Sequence, residues 1–330
     1  MNERVDPMNS IALSSQVRLA RNFADIPFSP RMQPADYERV IERTEAALCG
    51  EHYTLKRMAQ LRWSARECMM EAQLIRPELA QTDEGALLLN EDKTVAVMLG
   101  EEDHLRVQAV LPGLQLGAAM QLAERVEHTI ERERGFAFDR RWGYLTVRPD
   151  DAGTGLHASV TLHLAALYML GRVGRVVRAL PKKDFEVRGV YGAGNDACGQ
   201  IYQLSNRVTL GRTEEEILEM VGQAADEVMK HERAARKALL ENDRLKLEDK
   251  LMRSYGILLH ARLLSLNELM DRLSSARLAA DLGLIDVTQA QLSSLMIDGQ
   301  PATLERIAGH RLEQRDGDVM RAQIVQRALA

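Results

Sequence analysis

From Thr213 to its last residue the chain places apolar side chains at helical spacing and offers no convincing strand. The change begins at Thr213-Glu214-Glu215-Glu216, where a hydroxyl followed three residues on by a glutamate satisfies the first free N–H groups of a helix. Every strand is thereby confined to the first two-thirds of the sequence. A sheet-containing part, residues 1–240, and an all-helical part, residues 241–330, is the division this implies. A chain of 330 residues has room for one large domain and a smaller one.

Within the first part, Ile11–Asn22 alternates as a strand that carries Arg18 and Arg21. Pro34 opens a helix whose apolar residues recur through Tyr37, Val40, Ile41, Thr44 and Leu48 until Gly50 ends it. Leu87–Leu89 and Thr94–Leu99 flank Asn90-Glu91-Asp92-Lys93, a hairpin turn, and Leu105–Leu111 reads as a third strand. A long helix is predicted over Gln115–Arg134. A single helix is expected over Ala165–Leu180, a strand over Phe185–Tyr191 with Arg188 on it, a flexible loop at Gly192-Ala193-Gly194-Asn195-Asp196, and a strand over Gly199–Ser205.

The stretch Gly143–Leu164, GYLTVRPDDAGTGLHASVTLHL, is the most informative single segment. It opens as a strand at Tyr144, Leu145 and Val147, breaks at Arg148-Pro149-Asp150-Asp151, and turns at Gly153-Thr154-Gly155. Glycines two apart permit a turn that other residues resist and bring backbone N–H groups near whatever lies above them. The apolar run Ala158–Leu164 then returns to the interior. Turns between buried segments often carry function, although most Gly-Thr-Gly turns are only turns.

Composition excludes several classes. With 45% apolar and 28% charged residues the chain reads as soluble and globular rather than disordered. A net charge of −5 argues against a general nucleic-acid partner. Cys49, Cys68 and Cys198 have no paired spacing, so neither a disulfide framework nor a zinc site is indicated, and no metal ligands are assigned. The polar MNERVDPMNS start lacks the apolar core of a signal peptide. Ala152–Gly171, the longest uncharged run, contains two histidines and reads as buried core rather than a membrane span. A cytoplasmic location is expected.

Three features point to chemistry. Glu101-Glu102-Asp103 is an acidic cluster followed by His104 and Arg106. Strand alternation would place Glu102, His104 and Arg106 on one face, opposite Glu101 and Asp103, where a carboxylate beside an arginine could grip a cation and an anion together. A solvated acidic turn is the plainer alternative. Arg18, Arg21, Arg106 and Arg188 lie on separate strands and could converge on phosphate oxygens without a Walker-type loop, none being present. Surface ion pairing explains each of them equally well. The two glycine-bearing loops could close over a ligand.

SSQVRLARN, GEEDHLRVQ, GYLTVRPDDAGTGLHASV and VRGVYGAG stand in the order found in the ATP:guanidino phosphotransferases, and the chain resembles that family over about Ile11 to Leu329. Its spacing, short N-terminus and C-terminal RSYGILLHARLLSLNELMDRLSSARLAADLGLI are most similar to the bacterial protein arginine kinases. The resemblance implies an α+β fold, an antiparallel sheet flanked by helices and followed by a helical domain. It implies ATP as phosphoryl donor, with Mg2+ held through the nucleotide phosphates, and arginine side chains of proteins as acceptors. Arg18, Arg106 and Arg188 match the arginines that cradle the nucleotide phosphates, with His104 and His157 in the same binding region. Glu102, with Glu101 beside it, matches the carboxylate that orients and deprotonates the guanidinium. By resemblance the partners are arginine-bearing proteins, an activator protein, a Clp-type unfoldase and a second copy in a homodimer.

The sequence also departs from the family. Gln16 stands for an arginine, Gly100 for an asparagine, Arg148 for a cysteine, His157 for an arginine and Ala193 for a glutamate. His157 could restore a positive charge when protonated. Losing a preorganised donor typically costs ~10²–10³ in rate and losing a general base ~10²–10⁴. A catalytically impaired regulatory or adaptor protein in stress-linked proteolysis is therefore the alternative to an active kinase. Arg148 could imitate a substrate guanidinium and pair with Glu102, or swing into solvent. In the helical part, Arg315-Asp316-Gly317-Asp318 and Arg321 fall where the related kinases recognise phosphorylated arginine, or form a charged, solvated helix start.

Overall fold

Strand β1 (Ala12–Arg21) alternates polar and apolar residues from Gln16 to Leu19, and it lies in the middle of the sheet between two long neighbours. A computed structural model describes residues 10–132, 135–191 and 197–330; the loop predicted at Gly192–Asp196, with Ala193, lies outside the described residues. The other strands of the main sheet are β2 (Tyr53–Arg57), β3 (Ala86–Asn90), β4 (Val95–Leu99), β5 (Leu105–Pro112), β8 (Leu156–His163), β9 (Phe185–Gly189) and β10 (Ile201–Asn206). Two short strands, β6 (Phe138–Asp139) and β7 (Gly143–Tyr144), form a separate ribbon. The eight strands run in the order β2-β3-β4-β5-β1-β8-β10-β9, and every neighbouring pair is antiparallel.

Alternation gives this sheet two unlike faces. Val17, Leu19, Val107, Ala109, Ala158, Val160 and Leu204 point to one side and join the main core. That side is covered by α1 (Pro34–Ala47), α4 (Leu116–Glu131) and the first half of α7 (Glu214–His260), through residues such as Val40, Met120, Ala123, Ile217 and Val221. Burying each large apolar side chain here contributes about 1.5–3 kcal/mol relative to leaving it exposed.

The opposite face is divided into three. Under α2 (Trp63–Glu71) and α3 (Pro77–Gln81), Leu87, Leu89, Ala96 and Met98 pack against Met58, Ile75 and Leu79. In the middle, paired positions present polar groups: Arg18 lies across from Gln108 on β5 and His157 on β8, Gln16 from Ser159, and Gln203 from Arg188. At the far end Ile201 and His163 are covered by the helical part, which comprises the end of α7 with α8 (Leu266–Asp281), α9 (Gln289–Asp298), α10 (Pro301–Ala308) and α11 (Gln314–Leu329). The polar middle is thus a floor walled by α2–α3 and by the helical part. These walls also touch each other, because the Glu71 carboxylate accepts hydrogen bonds from Ala302 N, Thr303 N and Thr303 Oγ at 2.8–2.9 Å and caps α10.

Three local expectations need correction. The helix expected over Ala165–Leu180 is two, α5 (Ala165–Met169) and α6 (Val173–Ala179), because the backbone turns at Gly171 with φ +64°. The strand expected from Tyr144 to Val147 retains only β7, since Leu145 N donates to Ala137 O and Val147 N to Asp103 Oδ1. Gly199 turns with φ +67° and the strand starts after it, at Ile201. From Thr213 onward the chain is helical as predicted, with the Thr213–Glu216 capping box formed in both directions. The long helix α7 has one extended residue, Asp243, at φ −160°. Among the described residues no helix is long and apolar enough to cross a membrane.

Candidate active site

The polar floor carries a cavity of about 550 Å3, lined by eight arginines and lysines against three aspartates and glutamates, which makes it a site for an anion in a chain whose net charge is negative. Arg18 rises from the centre of β1 into it. Its Nε is shut off from solvent and has no hydrogen-bond partner. Burial, then the charges of Arg76, Arg106 and Arg188, push its pKa down to about 9. A guanidinium held among like charges, with Glu101 as the opposing charge, is suited to bind an anion. Arg188, on β9, donates from Nε and Nη2 to Gln203 Oε1 at 3.1 and 2.8 Å. The Gln203 amide in turn donates to Gln16 Oε1 and Ser159 Oγ, so Gln16 stands beneath the site as an uncharged hydrogen-bonding partner.

The acidic cluster is a turn rather than a strand, and β5 begins only at Leu105. Alternation therefore does not hold through it. Glu101, Glu102 and Asp103 all reach Arg106: its Nε is 3.1 Å from Glu101 Oε2, and its Nη2 is 3.7 Å from Glu102 Oε2 and 3.4 Å from Asp103 Oδ2. His104 turns away. It is fully buried, accepts from Phe23 N at Nδ1 and donates from Nε2 to Pro27 O, so it braces the loop after β1 and does not reach the cavity. Asp103 is also structural, accepting from Asn22 Nδ2 and Val147 N. Glu101 and Glu102 keep oxygens that are buried and without a hydrogen bond. Burial raises the Glu101 pKa against the opposing charges of Arg106 and Arg76.

Gly100, just before this turn, has φ +69°, and a Cβ there would lie 2.7 Å from the Tyr37 ring. A glycine at this position meets both the φ and the close approach of Tyr37. The Gly153-Thr154-Gly155 turn is equally tight. A Cβ on Gly155 would meet Ala20 O and Arg21 Nη1 at 2.7 Å. Arg21 is fully buried against Glu127 and the Tyr144 ring and donates to Thr154 O, which removes it from the phosphate-binding candidates and makes it the anchor of this turn.

His157, following that turn, places Nε2 2.8 Å from Asp151 Oδ1, and Asp151 Oδ2 lies 3.8 Å from Arg106 Nη2. Burial disfavours the charged form of Asp151, but the His157 hydrogen bond and the charges of His157, Arg106 and Arg148 outweigh it and hold the pKa below the usual range. Arg148 lines the cavity with its side chain half exposed. Among the described residues its ion-pair partner is Asp150 at 3.9 Å, not Glu101 or Glu102, so of the two alternatives the side chain turned to solvent is the one found.

The structure thus brings Arg18, Arg106, His157 and Arg188 to one cavity beside Glu101 and Glu102. It adds residues missing from the sequence reading: Arg76, Lys182, Lys183 and Arg207 also line the cavity. Lys182-Lys183 was visible as a basic pair before a strand; Arg76 gave no signal, since only the fold of α2 and α3 over the sheet brings it near. In the helical part Arg321 is buried, donating to Gly299 O, Leu264 O and Asp318 Oδ1, and it has the bonding of a structural arginine.

Residues 35–235 match the ATP:guanido phosphotransferase C-terminal catalytic domain, and residues 244–330 match the protein-arginine kinase McsB C-terminal domain. The protein-arginine kinase of Caldanaerobacter subterraneus subsp. tengcongensis is 39% identical over 322 residues, 96% of each chain. That of Bacillus cereus (strain B4264) is 38% identical over 343 residues, covering 100% of this chain and 97% of the relative. Among solved structures, lombricine kinase superposes with a TM-score of 0.62 at 21% identity, over 72% of this chain and 70% of that one. The substrate-free duplicated taurocyamine kinase from Schistosoma mansoni gives 0.60 at 18% identity, over 94% of this chain and 49% of that one. These structural likenesses establish the shared sheet-and-helix fold.

Proposed function

Because the chain belongs to the ATP:guanido phosphotransferase family, and within it to the protein-arginine kinases, we propose that it transfers the γ-phosphoryl group of ATP to arginine side chains of proteins. The observation that carries this reading is the unsatisfied Arg18 in its cluster of cations, with the hydrogen-bond-free carboxylates of Glu101 and Glu102 alongside. Phosphoryl transfer depends mostly on positioning and charge neutralisation, and the site offers both. Arg18, Arg106 and Arg188 would hold the phosphates of ATP, with Mg2+ bound through those phosphates. His157 would add a donor oriented by Asp151. Glu102 would align the acceptor guanidinium and take its proton, which the arginine must lose to become a nucleophile. Glu101, whose burial favours its protonated form, would hold Arg106 in place. The division into residues 1–240 and 241–330 belongs to the same proposal and is supported by the extended residue Asp243 within α7.

A second reading, an impaired member acting through partners, draws on one observation. Gln16, where the family carries arginine, is uncharged and engaged with Gln203 and Ser159, so the floor lacks one cation. One assay separates the two. The full chain is incubated with ATP, Mg2+ and an arginine-rich protein, and acid-labile phosphate is measured, with Glu102→Gln as control. Turnover that falls by ~10²–10⁴ in the control supports the kinase. Equal, background-level signals from both support the second reading.

A further inference from the structure

A guanidinium already stands against Glu102, the carboxylate that the proposed reaction reserves for its acceptor, and against the neighbouring Glu101, and it belongs to the chain itself. Arg76 precedes α3, and each of its nitrogens faces a different carboxylate. Nε is 3.4 Å from Glu101 Oε1, Nη1 is 3.9 Å from Glu102 Oε2, and Nη2 donates to Glu78 Oε1 at 2.8 Å. The first two are ion-pair distances only, since no hydrogen bond reaches the Glu101 oxygens or Glu102 Oε2. Arg76 also lines both the main cavity and an adjoining one of about 430 Å3 whose wall includes Glu78, Gln108 and Gln16. It sits at the junction of the two.

We infer that Arg76 is a resident occupant of the acceptor subsite, a specificity-determining side chain that an incoming guanidine must displace. The inference rests on the phosphotransfer reading for the identity of that subsite. The local backbone keeps the competitor close. Ile75 is buried in the α2–α3 cluster and Pro77 fixes the first helical position, so the Cα of Arg76 cannot leave. The side chain itself is about one-fifth exposed and, among the described residues, its close hydrogen bond goes to the exposed Glu78, while Arg106 stays beside Glu101 and Glu102 when Arg76 swings out. A tethered guanidinium lowers the apparent affinity of any free one by the fraction of time the subsite is open. Bare guanidines are rejected, and an arginine wins only when the rest of its protein supplies further contacts. Arg76 is not the cap of α3 through its side chain, so its removal leaves the helix start intact.

The test uses the full chain, methylguanidine as probe, and Arg76→Ala with Arg76→Gln as a polar variant whose melting temperature checks folding. If the subsite is open about a tenth of the time, methylguanidine binding measured by calorimetry tightens roughly tenfold in both variants. Glu102→Gln on the Arg76→Ala background abolishes that gain, and ATP affinity falls by less than about tenfold, Arg76 being one of several cations that line the cavity. Unchanged methylguanidine affinity in both variants overturns the inference. So does a fall in ATP affinity of about tenfold or more, which would make Arg76 a phosphate ligand. Neither binding measurement needs turnover, so the inference can hold in a chain that transfers no phosphate. Conversely, a chain that phosphorylates arginine peptides with the same KM before and after Arg76→Ala keeps the kinase reading and loses this one.

Discussion

The cleft and the helical part both bury arginines, and they treat them in opposite ways. In the helical part, Arg321 directs its donors to two backbone carbonyls and to Asp318, and Arg277 directs its two Nη groups to Gln289 Oε1, Ser293 Oγ and Met296 Sδ, although its Nε is buried without a partner. In the cleft, Arg18 is surrounded by Arg76, Arg106 and Arg188 and keeps Nε without a partner. A desolvated charge among like charges is costly, and a fold that only had to be stable would pair it with an opposite charge or omit it. Burial alone therefore does not distinguish a binding arginine from a structural one. The charges around it do: Arg18 faces Arg76, Arg106 and Arg188, whereas Arg277 faces Asp281.

Replacing each arginine by methionine, which keeps length and apolar bulk, separates the two kinds. Arg18→Met is expected to lower phosphoryl transfer by ~10²–10³, or about 2.7–4 kcal/mol of transition-state stabilisation. Its melting temperature should equal or exceed that of wild type, because a repelled and partly desolvated charge has been removed. A large fall in melting temperature would place Arg18 with the structural arginines. Arg321→Met should do the reverse. Three hydrogen bonds to a buried cation are lost and their acceptors left unpaired, so denaturant unfolding should show a loss of about 2–4 kcal/mol. The rate per folded molecule should hold. Any selective loss of activity in Arg321→Met would show that the helical part contributes to the cleft.

Much of this was legible in the sequence, and the illegible parts share a cause. The strands that bear Arg18, Arg106 and Arg188, the Gly153-Thr154-Gly155 turn and the onset of helix at Thr213 all rest on local rules: alternation, glycine geometry and capping. His104 was misplaced because alternation was carried through residues that form a turn. Arg21 was grouped with the phosphate arginines although alternation sets it three positions from Arg18, on the side of Val17 and Leu19, where it meets Glu127 on α4. Arg76 was missed outright. Its nearness to Glu101 depends on how α2 and α3 fold back over β3 and β4, a tertiary fact that no spacing encodes.

The same contrast recurs on one strand with histidines. His157, at the start of β8, is half buried beside Asp151, whereas His163, at its end, is fully buried with Nε2 2.7 Å from Ser274 Oγ and Nδ1 without a partner. Burial, then the charges of Arg277 and Arg236, hold the His163 pKa well below its ordinary value. The unfolded chain binds a proton at this position near pH ~6.5 while the folded chain does not. The contribution of His163 to stability is therefore complete above that pH and is lost as the pH falls below it, at up to ~1.4 kcal/mol per pH unit. His163→Gln keeps a polar group against Ser274 and has no proton to gain. Urea unfolding at pH 7.5 and pH 5.5 should show a smaller drop for this variant than for wild type. Equal drops would mean that the junction between β8 and α8 opens before the imidazole titrates, and that the helical part is held to the sheet more loosely than the cleft is built.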